Sequence, residues 1–421
     1  MHNDSSHSPK SSKLTTYIVI AMVAGILAGY LIHENASPEF IKDFAPKIKL
    51  LATIFLRMVQ MIIAPLVFAT LVVGIAKLGD LKTVGRVGGK AMIWFISASL
   101  ISLTLGLILV TITKPGVGVN IANADLEGAK DMLGKTKEFS LDKFIEHVFP
   151  RSVIEAMANN EILQLVIFSV FFGVALTSIG AKGEPIIKAL DSLTHVVLKM
   201  VTYVMSMAPV GVFGAMTAVI ALKGLGILKT YAYYIGSFYL GLTVLWILLL
   251  LVGYIILKHR LKVLLKRLSS PMTIAFNTAS SEAVFPKLVE EMERFGCDNK
   301  IVSFTLPLGY SFNLDGSMMY MTFASMFIAQ AYNITSITDN LGTQVAMLLV
   351  FMLTSKGIAG VPRASLVVVL ATGSMFGIPP EGIGLVLAID TFCDMGRSMT
   401  NVLGNALATA AVSKWEGALK M

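Results

Sequence analysis

Leu387-Ala-Ile-Asp-Thr-Phe-Cys-Asp-Met-Gly-Arg-Ser-Met-Thr-Asn-Val-Leu-Gly-Asn405 decides how the rest of the chain is read. At about 100° per residue, an α-helix over this stretch puts Asp390, Asp394, Arg397, Asn401 and Asn405 in one sector about 80° wide. Leu387, Ile389, Phe392, Met399 and Val402 take the other faces. Inside a membrane each such charge costs about 2.5–3.5 kcal/mol and must face a partner or a wet cavity. One reading is an Asp394–Arg397 ion pair with hydrogen bonds that glue helices together. Glue needs only one or two polar residues, and here there are five. The stripe therefore reads as a site for a small zwitterionic or anionic solute.

Composition says what surrounds this helix. Of 421 residues, 55% are hydrophobic and only 14% charged, with a mean hydropathy of +0.75. Soluble domains carry about 25% charged residues. A transmembrane β-barrel would show alternating segments of about ten residues, whereas this chain has unbroken apolar runs such as Ala232–Leu257. The fold class is therefore an all-α polytopic membrane protein. The net charge of +8 fits positive loops on one membrane face and calls for no nucleic acid. Cys297 and Cys393 offer no disulfide framework. Six histidines (His2, His7, His33, His147, His195, His259) show no pair at metal-ligand spacing. Residues 1–13 read as a disordered tail without a signal core.

Spans are expected over 14–32, 49–75, 91–112, 162–179, 186–222 and 227–257. Lys77, Lys82, Arg86 and Lys90 mark one cytoplasmic side, and Lys258, His259, Arg260, Lys262, Lys266 and Arg267 mark it again. Residues 114 to about 160 read as a long extracytoplasmic connection. Beyond 260 the pattern changes. Stretch 261–288 carries Phe276-Asn-Thr-Ala-Ser-Ser-Glu-Ala-Val-Phe-Pro286 at its centre, and 344–376 carries Thr354-Ser-Lys-Gly-Ile-Ala-Gly-Val-Pro-Arg-Ala-Ser365. Each reads as two half-helices meeting at a non-helical tip, tolerated at membrane depth only against protein or a cavity. Between them, 301–331 is broken by Pro307, Gly309 and Gly316 around Asn313-Leu-Asp-Gly-Ser317. Paired interruptions of this kind point to the binding site of a secondary transporter. Half-helix N-termini would aim N–H groups at a carboxylate.

Four ordered motifs resemble the dicarboxylate/amino acid:cation symporters, the glutamate transporter family. They are Thr278-Ala-Ser-Ser-Glu282, Asn313-Leu-Asp-Gly-Ser317, Gly357-Ile-Ala-Gly-Val-Pro362 and Asp394-Met-Gly-Arg-Ser-Met-Thr-Asn401. The resemblance implies eight transmembrane helices plus two re-entrant hairpins, with inverted repeats, in a homotrimer of the plasma (inner) membrane with both termini cytoplasmic. Residues 14–78 and 114–224 would form a scaffold. Residues 79–113 and 225–421 would form a transport domain that moves like an elevator.

By the same resemblance, Arg397 binds the side-chain carboxylate and Asp394 the amino group of an acidic amino acid, L-glutamate or L-aspartate. Asn401, Ser398, Ser280, Ser281, Ser317, Gly360 and Val361 complete the substrate set. The runner-up solute is a C4-dicarboxylate, which has no use for Asp394. Asn313, Asp315, Asn405, Ser99, Asp390, Gly309, Ser311, Ser355, Ile358 and Glu282 match or join the cation-coupling set. The coupling ion is a proton, sodium or both, with no other cofactor and sodium the only metal in view. Asn405 stands where sodium-coupled relatives carry an acid, Leu314 where they carry methionine, and Phe95 and Ala98 where they carry a Tyr/Thr pair. These departures lean toward protons and make Glu282 a candidate carrier, against the simpler reading of a wetted tip residue. Arg363 either shapes gating or snorkels to water. A hydrolase would need a nucleophile with a positioned base, and neither a Gly-x-Ser-x-Gly elbow nor a histidine near Ser280 and Ser281 occurs. The reading is therefore a carrier rather than an enzyme, and a channel would not need paired gates.

Overall fold

Apolar runs of this length can satisfy their backbone in lipid only as helices, and helices are what the structure holds. It is a computed structural model that describes residues 9–78, 81–119, 148–225, 231–355, 364–387 and 389–420. Among these residues extended backbone pairs only at the isolated Cys297–Leu419 bridge. The principal helices are α1 (Pro9–Asn35), α2 (Pro38–Leu78), α3 (Leu81–Thr113), α4 (Ile162–Ser178), α5 (Glu184–Ser206), α6 (Ala208–Lys223) and α7 (Ala232–Leu257). The later ones are α8 (Arg260–Thr278), α9 (Phe285–Phe295), α10 (Asn299–Phe312), α11 (Asp315–Ala331), α12 (Leu341–Thr354), α13 (Ala364–Gly373) and α14 (Asp390–Trp415). Among the described residues four helices are long and apolar enough to cross a membrane, or five if the bent α5–α6 pair is one span.

Several boundaries differ from the hydropathy reading. α1 starts at Pro9, inside the stretch read as tail, with proline at a helix start where its missing N–H is harmless. α2 and α3 begin at Pro38 and Leu81 rather than at 49 and 91. Hydropathy marks the apolar core of a span, whereas charged turns beyond it remain helical. The expected single span 186–222 is bent by 46° at Met207. Pro209 lies in the first turn of α6, lacks an N–H and crowds the preceding turn, so the chain breaks there.

Two packing groups follow from the contacts. α1, α2, α4, α5 and α6 pack on one another. Gly25 and Gly29 let α1 approach α6 closely: a Cβ on Gly29 would stand 2.8 Å from the Thr217 carbonyl oxygen. This is the small-xxx-small spacing that brings membrane helices together. The second group is built around α14, which touches α3, α7, α8, α10 and α11 and is buried through most of its length. α11 is buried at every residue. The groups meet where α2 runs along α10 and the α8–α9 tip, and where α1 and α6 meet α8.

The C-terminal end of α14 is latched to the start of α3. Glu416 accepts from Arg86 at 2.9 Å and from Lys90 at 2.6 Å, Lys90 also donates to the Trp415 carbonyl at 3.0 Å, and Trp415 lies 5.9 Å from Trp94. The basic start of α3 and the C-terminal end of α14 therefore face the same side. The Arg86 hydrogen bonds, with Lys90, hold the Glu416 carboxyl below its usual range. A depressed carboxyl stabilises the fold above its unfolded value and loses that contribution as pH falls through the folded one. Glu416→Gln is expected to cost about 1 kcal/mol at pH 7, read as a lower melting temperature. The gap to wild type should close on acidification below about pH 4. Cys297, beside this latch, has its thiol pushed up to about 11 by burial, which keeps it an inert packing group.

Candidate functional site

The last helix sets the site, because its polar stripe is turned toward the broken helices. Arg397, Asp394, Asp390, Asn401 and Asn405 are all buried. Arg397 Nε donates to Asp394 Oδ1 at 2.8 Å, and its Nη2 donates to the same oxygen. Nη1 donates to Ser365 Oγ, just beyond the second tip. The guanidinium also lies 5.4 Å above the Tyr320 ring, whose hydroxyl donates to Asp390 Oδ1 at 2.5 Å. Arg397 is thus clamped from three elements in a low-dielectric setting that keeps its planar fork aimed.

These groups form one wall of a cavity of about 310 Å³. Ser280, Ser281 and Glu282 of the first tip, Ser317, Ser365, Asp390, Asp394, Arg397, Ser398 and Asn401 all line it. The opposite wall is apolar and comes from α2 (Phe55, Val59, Ile63) and α6 (Gly211, Ala215), with Lys49 and Gln60 of α2 also on the cavity. Such a chamber, mostly apolar with a few convergent polar groups, suits a small solute.

The first tip forms because Ala279 takes a left-handed conformation (φ 50°) at the end of α8, and a short 3-10 turn, Glu282–Val284, leads into α9. Ser280 Oγ accepts from the Ala283 N–H at 3.2 Å, and the Ser281 carbonyl accepts from Tyr310 at 2.9 Å. Between α10 and α11, Asn313 and Leu314 leave the helical region. The N–H groups this exposes at Gly316 and Ser317 are taken by Asn401 Oδ1 at 2.9 and 3.2 Å, and Asn401 Nδ2 returns a bond to Ser317 Oγ at 3.0 Å. The half-helix start expected to face a carboxylate is therefore capped by Asn401.

Behind the cavity lies a second polar cluster. Asn313 Nδ2 donates to Asp315 Oδ2 at 3.2 Å and to Asn405 Oδ1 at 3.3 Å. Asn313 Oδ1 and Asn405 Nδ2 are buried without hydrogen-bond partners among the described residues. Gly309 and Gly404 close the cluster, since a Cβ on Gly404 would stand 1.9 Å from Asp315 Oδ2. Hard oxygen donors of this kind suit an alkali cation. Ser99 is buried and donates to the Phe312 carbonyl at 3.4 Å, and Ser311 is buried on α10. Ser355 caps α12, its hydroxyl bonded to the Met352 carbonyl at 3.1 Å.

The structure thus brings together most of the expected substrate set and the core of the cation set, in adjacent clusters. Ile358, Gly360, Val361 and Arg363, with the second tip itself, lie outside the described residues. Two participants escaped the sequence reading. Ser365 follows the second tip and Tyr320 sits one turn beyond Ser317, but only the fold reveals that both close on Arg397.

The family model described as Sodium:dicarboxylate symporter family matches residues 14–415. The chain is 41% identical to a C4-dicarboxylate transport protein of Rhodospirillum rubrum, over 96% of this chain and 89% of the relative. A C4-dicarboxylate transport protein of Rhizobium johnstonii is 40% identical over 96% of this chain and 90% of its own. One of Acinetobacter baylyi is 38% identical over 98% and 93%.

Proposed function

Because this chain belongs to the sodium:dicarboxylate symporter family, and so is a membrane transporter rather than an enzyme, we propose that it carries C4-dicarboxylates in symport with a cation. The observation that carries the reading is the buried guanidinium of Arg397 on the wall of a chamber of about 310 Å³. A carboxylate entering there meets, among the described residues, the one side chain on the cavity able to hold it bidentately. The relatives named as C4-dicarboxylate transport proteins support this solute over the glutamate expected from Asp394. So does the pairing of Asp394 with Arg397, which gives the acid a role that requires no solute amine.

Charge explains the need for a cation. Arg397 stands among Asp390, Asp394 and Glu282, so a dianion would enter a chamber whose walls already hold more acid than base. The Asn313–Asp315–Asn405 cluster directly behind it offers oxygen donors for a compensating ion. In this reading α1, α2 and α4–α6 form the scaffold, and α3 with α7–α14 the moving domain. The latter carries the two hairpins and the solute across the inner membrane in elevator fashion. Eight spans, a homotrimer and cytoplasmic termini belong to the same proposal.

Asp394 favours one second reading, L-aspartate, a C4-dicarboxylate that also bears an ammonium. The test is uptake of labelled succinate into proteoliposomes with unlabelled competitors. Succinate, fumarate and malate are expected to compete at least about tenfold better than L-glutamate, a difference of about 1.4 kcal/mol. Stronger competition by glutamate would overturn the proposal. Asp394→Asn separates the two solutes. If the acid holds an ammonium, the variant loses about tenfold or more in aspartate uptake relative to succinate. Equal losses would confine Asp394 to orienting Arg397.

A further inference from the structure

The acids of the cavity are not equivalent. Asp394 is bonded to Arg397, Asp390 to Tyr320, and Asp315, behind them, to Asn313. Glu282 differs: its carboxylate has no hydrogen-bond or ion-pair partner among the described residues, although it lines the solute chamber. It also lines a second, small space of about 10 Å³ bounded by Ile63, Val67, Ile162, Phe285 and Tyr310. Glu282 therefore stands where the first hairpin tip meets α2 and α4, with apolar side chains on the far side.

Among the described residues, the charged and titratable groups around it are few. Glu161 at the N-terminus of α4 repels it, and Tyr310 of α10 shares both cavities. α8 presents Asn277 and Thr278 to the same chamber, and α2 presents Lys49 and Gln60 to it. The first charge of α9, Lys287, is already bonded to Glu290 and Glu291. Across the chamber stand Asp390, Asp394 and Arg397. A carboxylate so placed has a like charge beside it and, among the described residues, no cation bonded to it. Carried through a bilayer, it is costly as an anion and cheap as an acid.

Resting on the carrier reading above, we propose that Glu282 is a proton-binding site loaded together with the dicarboxylate and discharged with it. A dianion in the same chamber strengthens proton binding at Glu282, and by reciprocity the proton strengthens binding of the dianion. The proton passes from water to the carboxylate on the side that supplies the solute, and returns to water on the side that receives it. The tip position suits this exchange, because Glu282 touches the chamber and the joint between the two packing groups at once.

The test uses the full-length protein purified in detergent, with succinate as the probe. Proton uptake per succinate bound is read by calorimetry in two buffers of different ionisation enthalpy. Wild type is expected to take up about one proton more than Glu282→Gln. Equal uptake by the two overturns the proposal, as does loss of the uptake in Asp394→Asn with its retention in Glu282→Gln. Glu282→Asp should restore uptake with a displaced pH profile. In proteoliposomes without sodium, an inward gradient of one pH unit supports up to about tenfold accumulation per coupled proton. That accumulation should vanish in Glu282→Gln, and accumulation equal to wild type would contradict the assignment. Failure of wild type to bind or exchange any dicarboxylate would instead sink the carrier reading, a separate outcome.

Discussion

Arg397→Ala is expected to lower dicarboxylate uptake by at least about a hundredfold. In the proposed binding mode two charge-assisted bonds to a carboxylate, each about 1.5–3 kcal/mol, are removed at once. Their sum converts to two or more decades in affinity. The same change leaves Asp394 in a buried chamber without its guanidinium, and stranding a buried charge costs about 3–5 kcal/mol in stability. Loss of transport must therefore be separated from loss of fold, which Arg397→Lys achieves. Lysine keeps the charge but not the planar fork, and its three donors fall short of a bidentate solute carboxylate held together with Asp394 and Ser365. Arg397→Lys should stay folded by size-exclusion chromatography and still lose about tenfold or more in uptake. Uptake equal to wild type in either variant would remove Arg397 from the site.

The second large effect is expected at Gly404, where α14 passes the cluster behind the chamber. A methyl group there would overlap Asp315 Oδ2 and press on Asn313 Nδ2 at 3.2 Å. Asp315 cannot simply turn away, because Asn313 and Asn405 fill the neighbouring space. In a helix interior, glycine to alanine ordinarily stabilises by about 1 kcal/mol. Overpacking of a full core costs about 1–3 kcal/mol or more. Gly404→Ala is therefore predicted to lower the melting temperature and to raise the half-saturating concentration of the coupling cation by about tenfold or more. An unchanged or raised melting temperature would show that the cluster has slack. A lowered melting temperature with unchanged ion dependence would show that the cluster is structural.

The two variants act on features that were unequally legible in the sequence. The stripe on the last helix could be read from spacing alone, since five polar residues on one face of an apolar helix have few uses. The breaks were visible as polar interruptions of apolar runs, at Thr278-Ala-Ser-Ser-Glu282 and Asn313-Leu-Asp-Gly-Ser317. Pro307, Gly309 and Gly316, read as the breakers of the second, however lie inside α10 and α11, and the chain leaves the helix at Asn313 and Leu314 instead. Helix ends were not visible, because charged turns in α2 and α3 extend the helix past the apolar core. The bend at Met207 depended on one proline that could equally have been tolerated. Partners far apart in sequence were the main loss. Ser365 and Tyr320 reach Arg397 only through the packing of α11 and α13 against each other.

The solute was the hardest point to read. An acid three residues before an arginine serves equally as an ammonium receptor or as the arginine's own brace. Spacing alone does not separate the two, and the structure has Asp394 bonded to Arg397. Glu282 is a similar case: the sequence left it between a proton carrier and a wetted tip residue, and its surroundings are two shared cavities and a neighbouring acid.

The central claim is that a dicarboxylate is carried by ion coupling through the chamber beneath Arg397. Its most direct measurement is accumulation of labelled succinate by proteoliposomes containing the purified wild-type protein under an imposed inward cation gradient. The account predicts saturable accumulation above the external concentration that collapses when the gradient is dissipated. Equilibration without accumulation, at a rate shared by Arg397→Ala, would contradict it.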